Sequence, residues 1–120
     1  MKKISFCITA CNNEKDYVLG LLRSLVDNTE FEKHEVLILI DSDNQNMYEA
    51  FLDYRKDKPN IKIFKNESHR LGYQRNISIL FSKATNDLVV YLQADMVVGL
   101  EFDKYFLEAL NEDKTKIITF

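Results

Sequence analysis

Residues 86–100 read NDLVVYLQADMVVGL. From Asp87 to Leu92 the run is apolar at odd and even positions alike. That is how a strand reads when both faces of its sheet are covered. It then meets Gln93, Ala94 and Asp95, a polar tip on an apolar strand. A carboxylate among Val and Leu side chains is costly to bury without a partner. Asp95 can avoid that cost by sitting where the strand ends and a crevice begins.

The preceding chain has the same grammar. Residues 3–9, 35–41 and 61–65 are short apolar runs rich in β-branched residues, and with 87–93 they predict four strands. Between the first two strands, Tyr17, Val18, Leu21, Leu22, Leu25 and Val26 recur at helical spacing. Asn12 or Asn13 is the expected cap there, with Glu14 and Asp16 in the first turn, where the helix dipole favours acids. Met47, Phe51 and Tyr54 mark a second helix, capped by Asp43 or Asn44 and stopped before Pro59. A third runs from about Gly72 to Ala84, with Tyr73, Ile77, Leu80, Phe81 and Ala84 inward. A fourth, Glu101 to Asn111, turns Phe102, Tyr105, Phe106, Ala109 and Leu110 to the core. Lys116 to Phe120 reads as a last strand. His34 and His69 are expected at the surface.

Strict alternation of strand and helix predicts an α/β fold with a parallel sheet and right-handed crossovers. The expected strand order is 3-2-1-4, with helices on both faces. In such sheets ligands bind beyond the carboxyl ends of the strands, where the strand order reverses. Thr9 to Glu14 follow the first strand and Asp41 the second. Asn66, His69 and Arg70 follow the third, and Gln93 to Asp95 the fourth. The polar residues gather at one edge.

The totals exclude several classes. With 120 residues the chain fits one domain. A net charge of −3 argues against a general nucleic-acid binder. No apolar run approaches the ~18 residues of a membrane helix. The opening "MKKISFCITAC" carries a faint leader-like pattern, but its alternation and β-branching suit a strand. Cys7 and Cys11 lie four apart in extended chain, too far for a disulfide at roughly 3.3 Å per residue, so they are expected as reduced thiols in a cytoplasmic protein. Dinucleotide binding lacks its G-x-G-x-x-G, and no P-loop is present. A haloacid-dehalogenase-type phosphatase needs its Asp pair after the first strand, whereas "DSD" follows the second. A receiver domain needs an acidic cluster after the first strand and a Lys after a fifth.

Three segments together resemble the GT-A glycosyltransferases of the family-2 type. "ISFCITACNNEKDYVLGLLRSL" is similar to that family's opening strand, nucleotide loop and first helix. "VLILIDSDN" is similar to the strand and acidic turn that touch the nucleobase. "RLGYQRNISILFSKATNDLVVYLQAD" is similar to G-x-x-x-A-R-N-x-G, a helix, a strand and then D-x-D. The resemblance spans nearly the whole chain.

It implies a nucleotide-diphospho-sugar donor, UDP- or GDP-linked, and a divalent metal, Mn²⁺ or Mg²⁺, that neutralises the diphosphate. Asp95 is then the metal ligand. Arg70 and Arg75 pair with phosphate oxygens, and Asp41 accepts from a nucleobase N–H. Thr9, Ala10, Cys11, Asn12 and Glu14 form the nucleotide loop, beside Gln93 and Ala94. The acceptor would be a saccharide or a lipid-linked sugar. The chain departs from the family at three places: Gln93 stands for the first D of D-x-D, Cys11 for a Tyr that stacks on the base, and Thr9 for a Pro. The family's acceptor half and catalytic base would lie beyond Phe120. The expectations are therefore an N-terminal donor-binding portion, inactive alone, self-associating through its uncovered face, and reaching the inner face of a membrane only through further parts. The competing expectation is a non-catalytic nucleotide-diphosphate-binding or structural module. In plainer terms, Asp95 could be a strand-end turn residue and Arg75-Asn76 a solvated helix face.

Overall fold

Every residue of strand β1, Ile4–Ala10, is buried, and so is every residue of β2, Glu35–Ile40. An alternating strand would show one face to water. Continuous burial means that layers cover both sides. A computed structural model, which describes residues 2–66 and 72–112, shows how. Strands β3 (Ile61–Lys65) and β4 (Leu88–Leu92) complete a sheet of order β3-β2-β1-β4. All pairs are parallel, with Cys7 opposite Leu37 on one side and Tyr91 on the other. The predicted order is borne out.

Among the described residues four α-helices flank the sheet: α1 (Lys15–Asn28), α2 (Gln45–Tyr54), α3 (Tyr73–Lys83) and α4 (Phe102–Glu112). The core residues of α1, α2 and α4 pack on the face that carries Ile4, Phe6, Ile8 and Ala10. Leu80 of α3 packs on the other face, against Cys7, Leu37 and Leu39. The chain steps one way from β1 to β3 with its helices on one face. It returns to β4 with its helix on the opposite face, as right-handed crossovers require. The reversal falls between β1 and β4.

Several local expectations change. Neither Asn12 nor Asn13 caps α1. Glu14 holds the cap position without a side-chain bond to the helix, and Asn13 takes φ 69° in the loop, a left-handed conformation that Asn tolerates. At α2 the expectation holds: Asn44 accepts from the Met47 N–H at 3.1 Å. Tyr17, Phe81 and Tyr105 were expected inward but are 60%, 45% and 64% exposed. Each lies on the margin of its helix's apolar stripe, where the sheet no longer reaches. The expected strand 116–120 lies outside the described residues.

His34 is the largest correction. It is buried, and its Nδ1 accepts from the Ile4 N–H at 3.0 Å. A backbone N–H can only donate, so Nε2 must carry the ring proton. Nε2 then donates to Asp103 Oδ2 at 2.8 Å, and the same oxygen accepts from the Glu30 N–H at 2.9 Å. Asp103 lies in the first turn of α4. It does accept from the Lys104 N–H, but its main work is to bind α4 to the foot of the sheet. A second polar knot, around Glu35, lies at the same end. Both knots are far from the polar strand tips.

Gly72 begins α3 with φ 90° and ψ 162°, a region essentially reserved for glycine. A Cβ there would meet no atom within 4 Å, so strain is the only penalty. Gly72→Ala should cost about 1–3 kcal/mol in urea unfolding. A neutral result would mean that the turn relaxes freely.

Candidate functional site

At the reversal between β1 and β4 the sheet opens into a cleft of about 590 Å³. Its floor is a cross-strand pair of hydroxyls, Thr9 Oγ1 and Tyr91 Oη, 2.7 Å apart. One wall is the loop after β1. That loop is closed on itself, because the Cys11 N–H donates to Glu14 Oε1 at 2.7 Å and the Glu14 N–H returns to the Cys11 carbonyl at 3.2 Å. The other wall is the tip of β4, with Gln93, Ala94 and Asp95. A tight turn, Met96 N–H to Gln93 carbonyl at 3.1 Å, sets that tip. Ala94 is buried while Gln93 and Asp95 are exposed. So Asp95 sits in water at the end of a rigid strand, and the cost of burying it never arises.

The structure brings six expected residues to this one cleft: Thr9, Cys11, Glu14, Gln93, Ala94 and Asp95. Asn12 is exposed beside it and accepts from Ser42 Oγ, tying the β1 loop to the β2 loop. Ala10 lies in the core, and its carbonyl takes the Asp41 N–H at 2.8 Å. Asp41 is 2% exposed, with its carboxylate on Asn66, Asn76 and Gly72. Arg75 is exposed on α3 and is not part of the cleft lining. Arg70 lies outside the described residues.

Two lining residues escaped the sequence reading. Tyr17 was counted as core, but the first turn of α1 starts beyond the end of β1 and overhangs the cleft. Tyr91 was absorbed into an apolar strand. A hydroxyl two residues from a polar tip was the available signal. Cys7, behind the sheet, is a buried thiol. Burial, then the Glu35 charge, pushes it up to about 12, so it is inert. Cys7 and Cys11 form no disulfide.

A larger cleft, about 940 Å³, lies near Phe31 and Pro59, toward the foot of the sheet. Its charges answer one another, Lys33 with Glu30 and Lys58 with Asp57. It gathers none of the strand-tip residues.

The model of glycosyl transferase family 2 matches residues 5–120. The chain belongs to glycosyltransferase family 2. The cleft of this family-2 domain lies where its fold reverses strand order, as the alternation of strand and helix led one to expect. Among solved structures, S. aureus TarS superposes with a TM-score of 0.76 at 22% identity, over 93% of this chain and 20% of that one. TarS 1–349 in complex with UDP-GlcNAc gives 0.76 at 22%, over 95% and 32%. GalNAc-T7 with UDP, GalNAc and Mn²⁺ gives 0.82 at 22%, over 94% and 21%. At that identity the likeness shows the fold. The family-2 domain spans a fifth to a third of the length of these structures. No curated protein sequence matches it significantly.

Among the described residues no helix is long and apolar enough to cross a membrane. Nor do three His, Cys, Asp or Glu side chains converge there into a cage for a metal. A Mg²⁺ or Mn²⁺ shared between one carboxylate and a substrate diphosphate needs no cage. The exposed Asp95 carboxylate on this open cleft fits that mode.

Proposed function

We propose that this domain binds a nucleotide-diphospho-sugar in the β1–β4 cleft, as the donor half of a sugar transferase. The observation that carries this is the exposed carboxylate of Asp95, held at the strand-order reversal of a family-2 chain. Asp95 would hold a divalent cation, which supplies charge neutralisation for the departing diphosphate. The self-closed loop Cys11–Glu14 and the bridge from Asn12 to Ser42 give the nucleotide a preformed wall. With Cys11 in place of a stacking ring, Tyr17 is the exposed aromatic face at that wall. Arg70 and Arg75 serve the phosphates. UDP is favoured over GDP, because TarS 1–349 has been solved with UDP-GlcNAc and GalNAc-T7 with UDP.

Transfer needs a base near the acceptor hydroxyl, and geometry precedes pKa in choosing it. Past Asp95 the described carboxylates are poorly placed. Glu101 lies 3.7 Å from Lys104, Asp103 is spent on His34, and Glu108 is exposed on α4. None lines the cleft. On this reading the chain binds donor and does not turn it over, with a saccharide or lipid-linked sugar as the acceptor class. The competing function is a non-catalytic nucleotide-diphosphate-binding or structural module on the same fold.

Calorimetric titration with UDP tests this. Binding should strengthen by an order of magnitude with Mn²⁺ or Mg²⁺, and Asp95→Ala should remove the metal's contribution while leaving the metal-free affinity alone. A metal effect that survives Asp95→Ala would take Asp95 out of the site. Sugar transfer from labelled UDP-GlcNAc by this chain would overturn the donor-only function.

A further inference from the structure

Asp95 lies on a stretch without regular structure. The chain leaves β4 at Leu92 and enters α4 only at Phe102. A carboxylate that shares a metal works best when it is held in place, because a swinging ligand loses entropy on each capture. The Gln93–Met96 turn closes the tip, and the Gln93 N–H also reaches Met96 Sδ at 3.4 Å. Beyond that turn, the chain is held by a different element.

That element is the second half of α1. Ser24 Oγ accepts from the Val98 N–H at 3.0 Å while donating to the Leu21 carbonyl at 2.7 Å. Asn28 Nδ2 donates to the Val98 carbonyl at 2.9 Å. Both backbone groups of Val98 are therefore held by side chains four positions apart, on one face of α1. The Asn28 carbonyl belongs to the last turn of the helix and has no partner within it. It takes the Glu101 N–H at 2.7 Å. Glu101 has φ 59° there, a conformation that a residue with a side chain keeps only where its surroundings impose it. Val98 is buried, but Val97 and Leu100 on either side are 72% and 74% exposed. They add little packing, so the bonds to α1 do much to fix the loop.

We infer that Ser24 and Asn28 are positioning residues: by clasping Val98 to α1 they hold the loop that carries Asp95, and so set its carboxylate for the metal at the cleft. Neither side chain lines the cleft. Only Met96 and Val97 separate the clasped residue from Asp95. One helix thus serves the cleft twice. Its first turn overhangs the cleft with Tyr17, and its last turns steady the opposite wall. Without either bond, the loop gains freedom and Asp95 meets the metal in the right place less often. This rests on the metal-dependent donor binding proposed above.

The chain is titrated with UDP across a range of Mn²⁺ concentrations, as wild type, Ser24→Ala, Asn28→Ala and Ser82→Ala. Circular dichroism checks the folding of each. Ser82 is the control, since its hydroxyl makes the same kind of bond to a helix carbonyl, Ile79 at 2.7 Å, but on α3. The Mn²⁺ concentration that gives half of the metal's effect on UDP binding should rise about tenfold in Ser24→Ala and in Asn28→Ala, as when the support of a metal ligand is lost. UDP affinity without metal should stay at the wild-type value, and Ser82→Ala should match wild type throughout. In the Asp95→Ala background neither substitution should weaken UDP binding further, because both act through that carboxylate. Three results overturn the inference: an unchanged Mn²⁺ requirement in either folded variant, an equal loss without metal, or a further loss in the Asp95→Ala background. If wild-type UDP binding ignores Mn²⁺, the metal-dependent donor function fails first, and the inference falls with it.

Discussion

Asp103→Ala should cost the domain about 3–5 kcal/mol, the range for removing one partner of a buried ionic or charge-assisted pair. Neither His34 nor Asp103 has side-chain exposure, and Asp103 Oδ2 serves both the ring and the Glu30 N–H. Burial alone would raise the Asp103 carboxyl. The hydrogen bonds from His34 and the Glu30 backbone outweigh that and hold it below the usual carboxylate range. Alanine leaves an imidazole N–H and a backbone N–H without an acceptor in a dry pocket, and it removes the tie between α4 and the sheet. Urea unfolding of wild type, Asp103→Ala and the double variant with His34→Ala measures this. The double variant should be less damaging than the sum of its parts, because the stranded N–H leaves with the ring. A single-variant loss below about 1 kcal/mol would show that water replaces the carboxylate and that the knot is incidental.

Acid should unfold this domain in a way that one residue governs. Glu35 is 6% exposed and accepts from Ser5 Oγ at 2.6 Å, the Thr85 N–H at 2.6 Å, Thr85 Oγ1 at 2.8 Å and Lys62 Nζ at 2.8 Å. Burial works to raise its carboxyl. The bonds from Lys62, Ser5 and Thr85 prevail and lower it from 4.5 to about 2. The folded state thus holds the ionised form more tightly than the unfolded chain does. Its contribution is fully present above the unfolded value of 4.5 and is lost as pH falls from there toward 2. By linkage a shift of that size is worth about 3 kcal/mol. Stability measured by urea at pH 7, 5, 4 and 3 should fall most steeply below 4.5. Glu35→Gln should be less stable at pH 7 and should lose much of that slope. A variant with the wild-type slope would assign acid sensitivity to other carboxylates.

What the sequence disclosed follows from how each feature is written in it. Doubly covered strands are written in runs of Val, Ile and Leu, so β1, β2 and β4 and their order could be read directly. The exposed carboxylate of the cleft was legible because Asp95 interrupts such a run at its carboxyl end. Helix margins were not: Tyr17, Phe81 and Tyr105 share a stripe with core residues, and spacing alone cannot say where the sheet stops beneath them. Paired polar residues were hidden for a different reason. Nothing local marks His34 as buried, because its partner lies 69 positions away. The same holds for Asp41 and Asn76, 35 apart. Long-range pairs leave no periodic trace.

The strand order also fixes when the cleft can exist. β2 and β3 follow β1 as near neighbours, but β4 pairs with β1 across more than 80 positions, Ile4 beside Leu88. Loop-closure entropy makes such a distant pairing slow. A chain leaving the ribosome N-terminus first presents three strands and three helices before the fourth strand is made. In that interval β1 is an unpaired edge, an apolar template open to another chain. The crevice is therefore the last piece of the sheet to close, and the closing strand carries Asp95 on its tip. A half-built domain lacks one wall of the cleft, so the cleft exists only once β4 has joined β1.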